Sequence, residues 1–123
     1  MSRMSLVLFG IRSCDSCRKA RKWLDNRGLS YRYHDVRLDG LPPRALAAWV
    51  DRAGWEALLN KRSLTWRKIP DIDRQIEGKD AAVALMLEHP TLIRRPVLCH
   101  GRGILIGFDE EEYEQHFLAH QPS

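Results

Sequence analysis

The sequence predicts an α/β domain in which a four-stranded mixed sheet is flanked by helices and interrupted by a helical insertion. Residues 5–36 follow a strand–helix–strand order, which favours a right-handed parallel pair of strands. Residues 97–106 form two short apolar runs joined by a glycine-rich link, which is typical of an antiparallel hairpin. We therefore predict one domain, with residues 1–40 and 90–123 as the sheet-bearing core and residues 41–89 as the insertion.

The first three elements each carry their own signal. A continuous apolar run over residues 5–10 predicts a strand buried on both faces. Apolar residues at helical spacing over residues 15–27, followed by Gly28 as a C-cap, predict a helix. Residues 29–36 alternate and are rich in aromatic side chains, so they predict a second strand, and its polar end, His34 and Asp35, is expected to face water without a functional role.

The insertion is predicted to be helical. A proline at the first turn and Gly54 after the last predict a helix over residues 43–53, followed by a short helical turn. The charged segment over residues 62–69 is interpreted as irregular. An alanine-rich helix over residues 80–90 is expected to start with Asp80 as its N-cap.

The end of the chain completes the sheet. Strands are predicted over residues 97–99 and 104–106, with residues 100–103 as the hairpin turn. Asp109 is the predicted N-cap of a final helix, and three glutamates follow it in the first turn, where the helix dipole favours them.

The amino-acid composition limits the classes of function that the chain can have. The chain has 123 residues, 44% of them hydrophobic and 29% charged, which suits one folded domain and excludes a disordered chain. No apolar run approaches the roughly 20 residues of a membrane-spanning helix, and the amino-terminal run is too short for a signal peptide, so we predict a cytoplasmic protein. The sequence is silent on oligomeric state, and a monomer is the default expectation. The net charge of +4 is spread along the chain without a basic arm, which suits an anionic small molecule as well as it suits nucleic acid.

The C-x-x-C pair Cys14 and Cys17 is the strongest functional signal, and three interpretations compete for it. A static disulfide is disfavoured in a reducing cytosol, and the count of three cysteines is odd. A zinc site needs four ligands, and His116 with His120 is only a weak candidate for the remaining two, so no metal is expected. A redox-active pair requires only the two thiols, whereas Cys99 is interpreted as a small buried thiol in a strand.

The redox interpretation follows from the position of the pair between a strand and a helix. Backbone N–H groups and the helix dipole at the start of the helix favour a thiolate at Cys14. Arg18, one turn further on, and the neighbouring Arg12 are expected to lower its pKa further. Cys14 is then the exposed nucleophile, and Cys17 is the shielded resolving thiol.

Five segments carry a family resemblance: "CDSCRKARKWL", "DGLPPRAL", "GWEALLNKRSLTWRKI", "LIRRPVLC" and "GFDEEEY". Together they resemble the arsenate reductase (ArsC) family of thioredoxin-like proteins, most closely its YffB-type branch, and they are also similar to Spx. The resemblance implies a thioredoxin-like fold. It also implies a glutathione-dependent thiol reductase that holds no bound cofactor and uses glutathione as co-substrate.

The resemblance also implies roles for individual residues. Cys14 matches the catalytic cysteine of the family, and Arg18 matches an arginine of the first helix. Arg95 matches the arginine of the "RP" motif that binds the oxyanion, and Pro96 matches the cis-proline of the fold. Arg18, Arg95 and Pro96 are therefore predicted to bind the substrate.

Two positions depart from arsenate reductases. Asn60 stands where the insertion of those enzymes carries an arginine, and Gly107 stands where their last strand ends in another. Asn60 and Arg62, with Lys61 between them, are assigned to substrate binding by position. Because the reaction depends on several placed arginines, arsenate reduction is expected to be weak or absent.

Three functions remain open from the sequence. The first is a glutathione-dependent thiol–disulfide oxidoreductase whose partners are glutathione and a disulfide. The second is an Spx-like module that contacts RNA polymerase under redox control. The third is nucleic-acid binding through "LNKRSLTWRK", where Trp66 would stack on a base, although packing is the preferred interpretation of that residue.

Overall fold

The computed structural model describes residues 6–119. The elements follow in chain order: β1 (Leu6–Gly10), α1 (Asp15–Asn26), β2 (Arg32–Asp35), α2 (Pro43–Ala53), α3 (Trp55–Leu58), α4 (Leu64–Lys68), α5 (Lys79–Glu88), a 3-10 turn (Pro90–Leu92), β3 (Val97–His100), β4 (Gly103–Ile106) and α6 (Glu110–Ala119). They fall into two compact units, one of which runs up to Asp35 and resumes at Arg95, while the other spans Val36–Arg94. The predicted insertion covered residues 41–89, so the helical unit of the structure extends several residues further at each end.

The first unit contains a four-stranded sheet with the order β2-β1-β3-β4. The pairing of β1 with β2 is parallel, whereas β1 with β3 and β3 with β4 are antiparallel. The predicted mixed sheet, parallel first pair and terminal hairpin are therefore confirmed. Gly101, with φ of 61°, begins the short turn of that hairpin, a conformation that suits glycine.

One face of the sheet forms the core of this unit. Leu6, Leu8 and Leu98 project from it against α1 and α6. Alternate residues of β1 are buried, whereas Val7 and Phe9 between them are half-buried. The prediction of a strand buried on both faces was therefore wrong in detail, because only one face is fully covered.

The predicted C-cap of α1 is confirmed. Gly28 has φ of 68°, and its N–H donates to the carbonyl of Asp25 at 3.0 Å. The N–H of Leu29 donates to the carbonyl of Leu24 at 3.1 Å, which completes a Schellman motif. Because this motif uses residues 28–29, β2 begins only at Arg32, later than predicted.

The second unit consists of the four helices α2–α5 and the 3-10 turn. Helix α2 has the predicted limits, and Gly54 follows it with φ of 86°. The core of the unit is made of fully buried side chains that include Leu46, Leu58, Met86 and Leu92. No helix within residues 6–119 is long and apolar enough to cross a membrane.

Two predictions within the second unit were wrong. The segment interpreted as irregular contains α4, whose start is fixed because the Ser63 hydroxyl accepts the N–H of Trp66 at 3.1 Å. Helix α5 starts one residue early, with Gly78 at its N-cap position and φ of 142°, so Asp80 lies in its first turn. A glycine at that φ avoids the backbone strain that a side chain would cause. Because glycine has no side chain, the helix starts without a side-chain cap.

Candidate active site

The two thiols of the C-x-x-C pair lie at the amino end of α1. Cys14 is the N-cap residue, with an extended backbone at φ −87° and ψ 123°, and its carbonyl accepts the N–H of Arg18 at 3.0 Å. Cys17 lies in the first turn and is fully buried, whereas Cys14 is half-buried. Both are free thiols, so one sulfur is open to an incoming disulfide and the other is shielded.

The surroundings of Cys14 favour its thiolate. Burial acts to raise the pKa of Cys14, but the backbone N–H and the thiol of Cys17, together with the guanidinium of Arg95, outweigh it and lower the pKa. The Cys14 side chain makes no full N-cap hydrogen bond. The Cys17 N–H therefore lowers the Cys14 pKa because it lies close to the Cys14 sulfur and points towards it. The expected effect of the helix start is therefore present, with Arg95 as the cation that reinforces it.

The effect of Arg18 on the pKa of Cys14 stays a prediction, because Cys17 and Arg95 account for the lowering. The guanidinium of Arg18 pairs with the carboxylate of Asp15, three residues earlier on the same exposed helix face. The sequence placed Arg18 near Cys14, whereas the fold brings Arg95 there from the residue before Pro96. The side chain of Arg12 is exposed.

Cys17 has the opposite protonation preference. Its burial, aided by the hydrogen bond and negative charge of Cys14, raises the pKa of Cys17 to about 12. The Ile11 backbone and Arg95 oppose this rise without cancelling it. At neutral pH the pair therefore consists of one thiol prone to ionise and one that remains protonated.

Gly10, at the end of β1, leaves the space that the Cys17 sulfur occupies. A Cβ added to Gly10 would lie 2.6 Å from Cys17 Sγ and 3.2 Å from Cys17 Cβ. Both distances are below ordinary van der Waals contact, so no larger residue fits without displacing Cys17.

We expect Gly10→Ala to destabilise the chain by about 2 kcal/mol, because the new methyl group overlaps the Cys17 sulfur. Urea unfolding of Gly10→Ala, Cys17→Ala and the double variant measures the coupling between the two positions. Removing the sulfur relieves the overlap, so the double variant is expected to lose less than the two single variants combined. Additive losses would contradict the assignment of the overlap to this sulfur.

The Arg95–Pro96 peptide bond is cis, which confirms the expectation drawn from the resemblance. Pro96 is buried, and its carbonyl accepts the N–H of Gly107 at 2.8 Å. Gly107, with φ of 78°, thus ties the end of β4 to the segment that presents Arg95.

Sequence reasoning missed Asp35. It was expected to face water, but only 3% of it is exposed, and its carboxylate accepts the N–H of Arg12 at 3.1 Å. This bond joins the end of β2 to the loop that carries Cys14. The signal was available, because carboxyl ends of adjacent parallel strands meet at one edge of a sheet.

Asn60 and Arg62 lie in the second unit, where the Arg62 N–H donates to the Asn60 side-chain oxygen at 3.0 Å. The Asn60 N–H donates to the carbonyl of Leu92 at 2.8 Å. Lys61 lies 5.6 Å from the ring centroid of Trp66, which is half-buried. The Trp66 ring, proposed above to stack on a base, therefore lies next to a lysine of its own segment.

The remaining histidines and cysteine of the described residues do not form a candidate metal centre. Over residues 6–119 no group of three or more His, Cys, Asp or Glu side chains is arranged to hold a metal ion. His116 contacts His100, with Nε2 and Nδ1 3.0 Å apart, and His120 lies outside the described residues. Cys99 lies in β3 as predicted but is half-buried.

The lowered pKa of Cys14 predicts a pH profile. The thiolate persists to lower pH than in a free thiol, so alkylation of Cys14 by iodoacetamide is expected to reach half its maximal rate below about pH 8.5. Cys17, protonated up to about 12, is expected to remain unmodified near neutral pH. Peptide mass spectrometry separates the two sites, and the urea-unfolded chain is the control. A Cys14 midpoint at or above that of the unfolded chain would contradict the prediction.

Comparison with known proteins gives one family and several relatives. The model of the ArsC family matches residues 9–116. An uncharacterized protein from Haemophilus influenzae is 38% identical over 112 residues, which cover 91% of this chain and 98% of that protein. The global transcriptional regulator Spx from Streptococcus mutans is 31% identical over 109 residues, covering 87% of this chain and 79% of the regulator. A solved structure described as the YFFB protein has a TM-score of 0.87 and 36% identity, covering 90% of this chain and 97% of that one.

Proposed function

Because the chain belongs to the ArsC family of thioredoxin-like proteins, and to its YffB-type branch, we propose that it is a cytosolic thiol–disulfide oxidoreductase that uses glutathione. One observation carries the proposal: a half-buried thiol of lowered pKa lies beside a shielded thiol of raised pKa at the start of α1. This division suits a nucleophile and its resolving partner. The protein is proposed to act as a monomer without a bound cofactor or metal.

The proposed reaction is an exchange between sulfur atoms. The Cys14 thiolate attacks one sulfur of a disulfide, a Cys14–substrate bond forms, the original S–S bond breaks, and the leaving sulfur takes up a proton. Cys17 or a glutathione thiolate then attacks Cys14 Sγ and releases the bound half as a thiol. Two molecules of glutathione supply the electrons for a full cycle and leave as glutathione disulfide.

The cations near the thiols support an anionic substrate. Glutathione carries two carboxylates, and an arginine can hold a carboxylate with two parallel hydrogen bonds. Arg95 already interacts with Cys14, so it is proposed to hold the carboxylate nearest the reacting sulfur. Arg18 is exposed, and exchange of its Asp15 partner for a glutathione carboxylate would keep its charge paired. The assignment of Asn60 and Arg62 to substrate binding, made from the sequence, stays a prediction.

Trapping the covalent intermediate tests this function. The Cys17→Ser chain, incubated with glutathione disulfide, is expected to gain the mass of one glutathione on the peptide that contains Cys14. The Cys14→Ser chain is the control and is expected to gain none at that peptide. A Cys17→Ser chain that stays unmodified, while unfolded chain reacts, would overturn the proposal.

An Spx-like role is a second candidate, favoured by the 31% identity to a global transcriptional regulator. In that case a Cys14–Cys17 disulfide would alter a surface that binds RNA polymerase. Immobilised chain in oxidised and reduced form, challenged with purified RNA polymerase, tests it. Retention in one redox state supports the regulator, and no retention in either removes this candidate.

Arsenate reduction is the least favoured activity of the family for this chain. The resemblance calls for three arginines around the anion, and Asn60 and Gly107 occupy two of those positions. Arg95 alone remains, which leaves too little placed charge for the arsenic adduct.

A further inference from the structure

Two buried tyrosine hydroxyls raise a question that the exchange reaction by itself does not answer. The hydroxyls of Tyr33 and Tyr113 are both buried, and neither has a hydrogen-bond partner within residues 6–119. A buried hydroxyl without a partner costs stability, and such groups often have a role in another state of the molecule. Phenylalanine would fill nearly the same space without that cost.

The Tyr33 hydroxyl lies near the Cys17 sulfur. A Cβ built on Gly10 would lie 2.6 Å from Cys17 Sγ and 3.4 Å from the Tyr33 hydroxyl, so both atoms border one small space behind β1. Tyr33 belongs to β2, where it pairs with Leu8, and thus faces the side of the sheet that α1 covers. Burial, and next to it the negative charge of Cys17, raises the pKa of Tyr33 to about 12 and also raises the pKa of Tyr113.

The tyrosine rings are held in place from other sides. Arg21 lies over the ring of Tyr33, 4.4 Å from its centroid. Tyr113 packs edge-on against Trp23 and Phe108, with ring centroids 5.4 Å and 4.9 Å away. The raised pKa of each phenol keeps both tyrosines protonated at physiological pH, so each hydroxyl can donate a hydrogen bond.

Cys17 requires such donors when it reacts. As a buried thiol with a pKa of about 12, it is a poor nucleophile, and its anion would form where water cannot reach it. When Cys14 is bound in a mixed disulfide, its negative charge is gone, so the repulsion between the two sulfurs is relieved. Burial still opposes the Cys17 anion, and a directed O–H group can offset that penalty.

We propose that the hydroxyl of Tyr33 donates a hydrogen bond to the Cys17 sulfur as it becomes an anion in the resolving step. This inference rests on the proposed thiol–disulfide exchange. In that step the Cys17–Cys14 bond forms, the bond from Cys14 to the substrate sulfur breaks, and the proton lost by Cys17 ends on the departing thiol. Tyr33 keeps its own proton throughout, and the electron pair of the broken bond leaves with the substrate sulfur.

The two steps can be timed separately with dithiobis-nitrobenzoate, an aromatic disulfide that releases one coloured thiolate at each step. Reduced chain mixed with one equivalent gives a first phase from Cys14 and a second phase from Cys17. The phase that disappears in Cys17→Ser is the resolving phase, which separates it from any reaction of Cys99. Tyr31→Phe is the matched control, because the Tyr31 hydroxyl instead accepts from Arg21 at 3.5 Å.

Tyr33→Phe is expected to lower the ratio of the second rate to the first about tenfold, the size typical of a lost hydrogen bond to a charged group. Tyr31→Phe is expected to lower it by less than twofold. A role in packing alone would lower the urea midpoint of the reduced chain. We expect that midpoint to be retained or raised, because the removed hydroxyl has no partner there and its burial costs stability.

The outcomes separate the two proposals. A normal first phase with an unchanged ratio in Tyr33→Phe would overturn the tyrosine inference and leave thiol exchange intact. The absence of a first phase in the unmutated chain would overturn the exchange itself, and the inference with it. A cooperative urea transition of the Tyr33→Phe chain establishes that this variant is folded, so its rate ratio decides the matter.

Discussion

Cys14→Ser is expected to lower the rate at which the chain reduces a glutathionylated peptide by a factor on the order of a thousand or more. The reason is that a serine hydroxyl stays protonated at neutral pH and cannot form the mixed disulfide, whereas the pKa of Cys14 is lowered by its surroundings. The measurement is glutathione disulfide production at neutral pH, with the uncatalysed exchange subtracted.

Two further variants make this result specific. Cys17→Ser is expected to keep a substantial part of the activity, because a second glutathione can resolve the Cys14 intermediate. Cys99→Ser is the matched control; Cys99 lies in β3, outside the pair, and its loss is expected to leave the rate within about twofold. If Cys14→Ser and Cys17→Ser both match the unmutated chain, the pair is not the site of catalysis.

Arg95→Ala is expected to have the next largest effect. Its guanidinium lowers the pKa of Cys14 by a hydrogen bond and by its charge, so its removal raises that pKa towards the value of a free thiol. At pH 7 the thiolate fraction, and with it the alkylation rate of Cys14, is expected to fall about tenfold. Raising the pH restores the rate, because the thiol then ionises without the arginine.

Arg94→Ala is the matched control for Arg95→Ala. Arg94 is the adjacent arginine, its side chain is exposed, and its backbone N–H donates to the carbonyl of Leu58 at 2.8 Å, a bond that alanine keeps. Arg95→Lys retains the charge but loses the planar fork and is expected to fall between the two. A Cys14 profile that is the same in Arg94→Ala and Arg95→Ala would contradict the role of Arg95.

The elements that the sequence predicted well have strong local signals. Proline and glycine mark both ends of α2, Gly28 ends α1, and the Asp109 side chain accepts the N–H of Glu112 at 3.0 Å to start α6. Helix α4 was missed because its charged residues suggested an irregular segment, while the one capping residue, Ser63, was not recognised as a helix start. Short helices of this kind depend on one hydrogen bond and on packing rather than on periodicity.

The candidate site was predictable to the extent that it is local. The spacing of Cys14 and Cys17, and their position between a strand and a helix, are visible in one short segment. Arg95 was identified by resemblance rather than by pattern, and it is the cation that lowers the pKa of Cys14. Asp35 was missed because its burial depends on strand pairing that brings distant residues together.

The stabilised thiolate of Cys14 also affects the redox equilibrium between the dithiol and disulfide forms of the pair. A pair whose dithiol form is stabilised holds electrons more firmly, so its disulfide is a stronger oxidant than that of an unperturbed pair. In contact with an abundant pool of small reducing thiols, the chain would rest with both sulfurs reduced. Between reactions the chain would therefore carry the reactive Cys14 thiolate. An oxidised thiol or disulfide could then react with it without prior reduction of the protein.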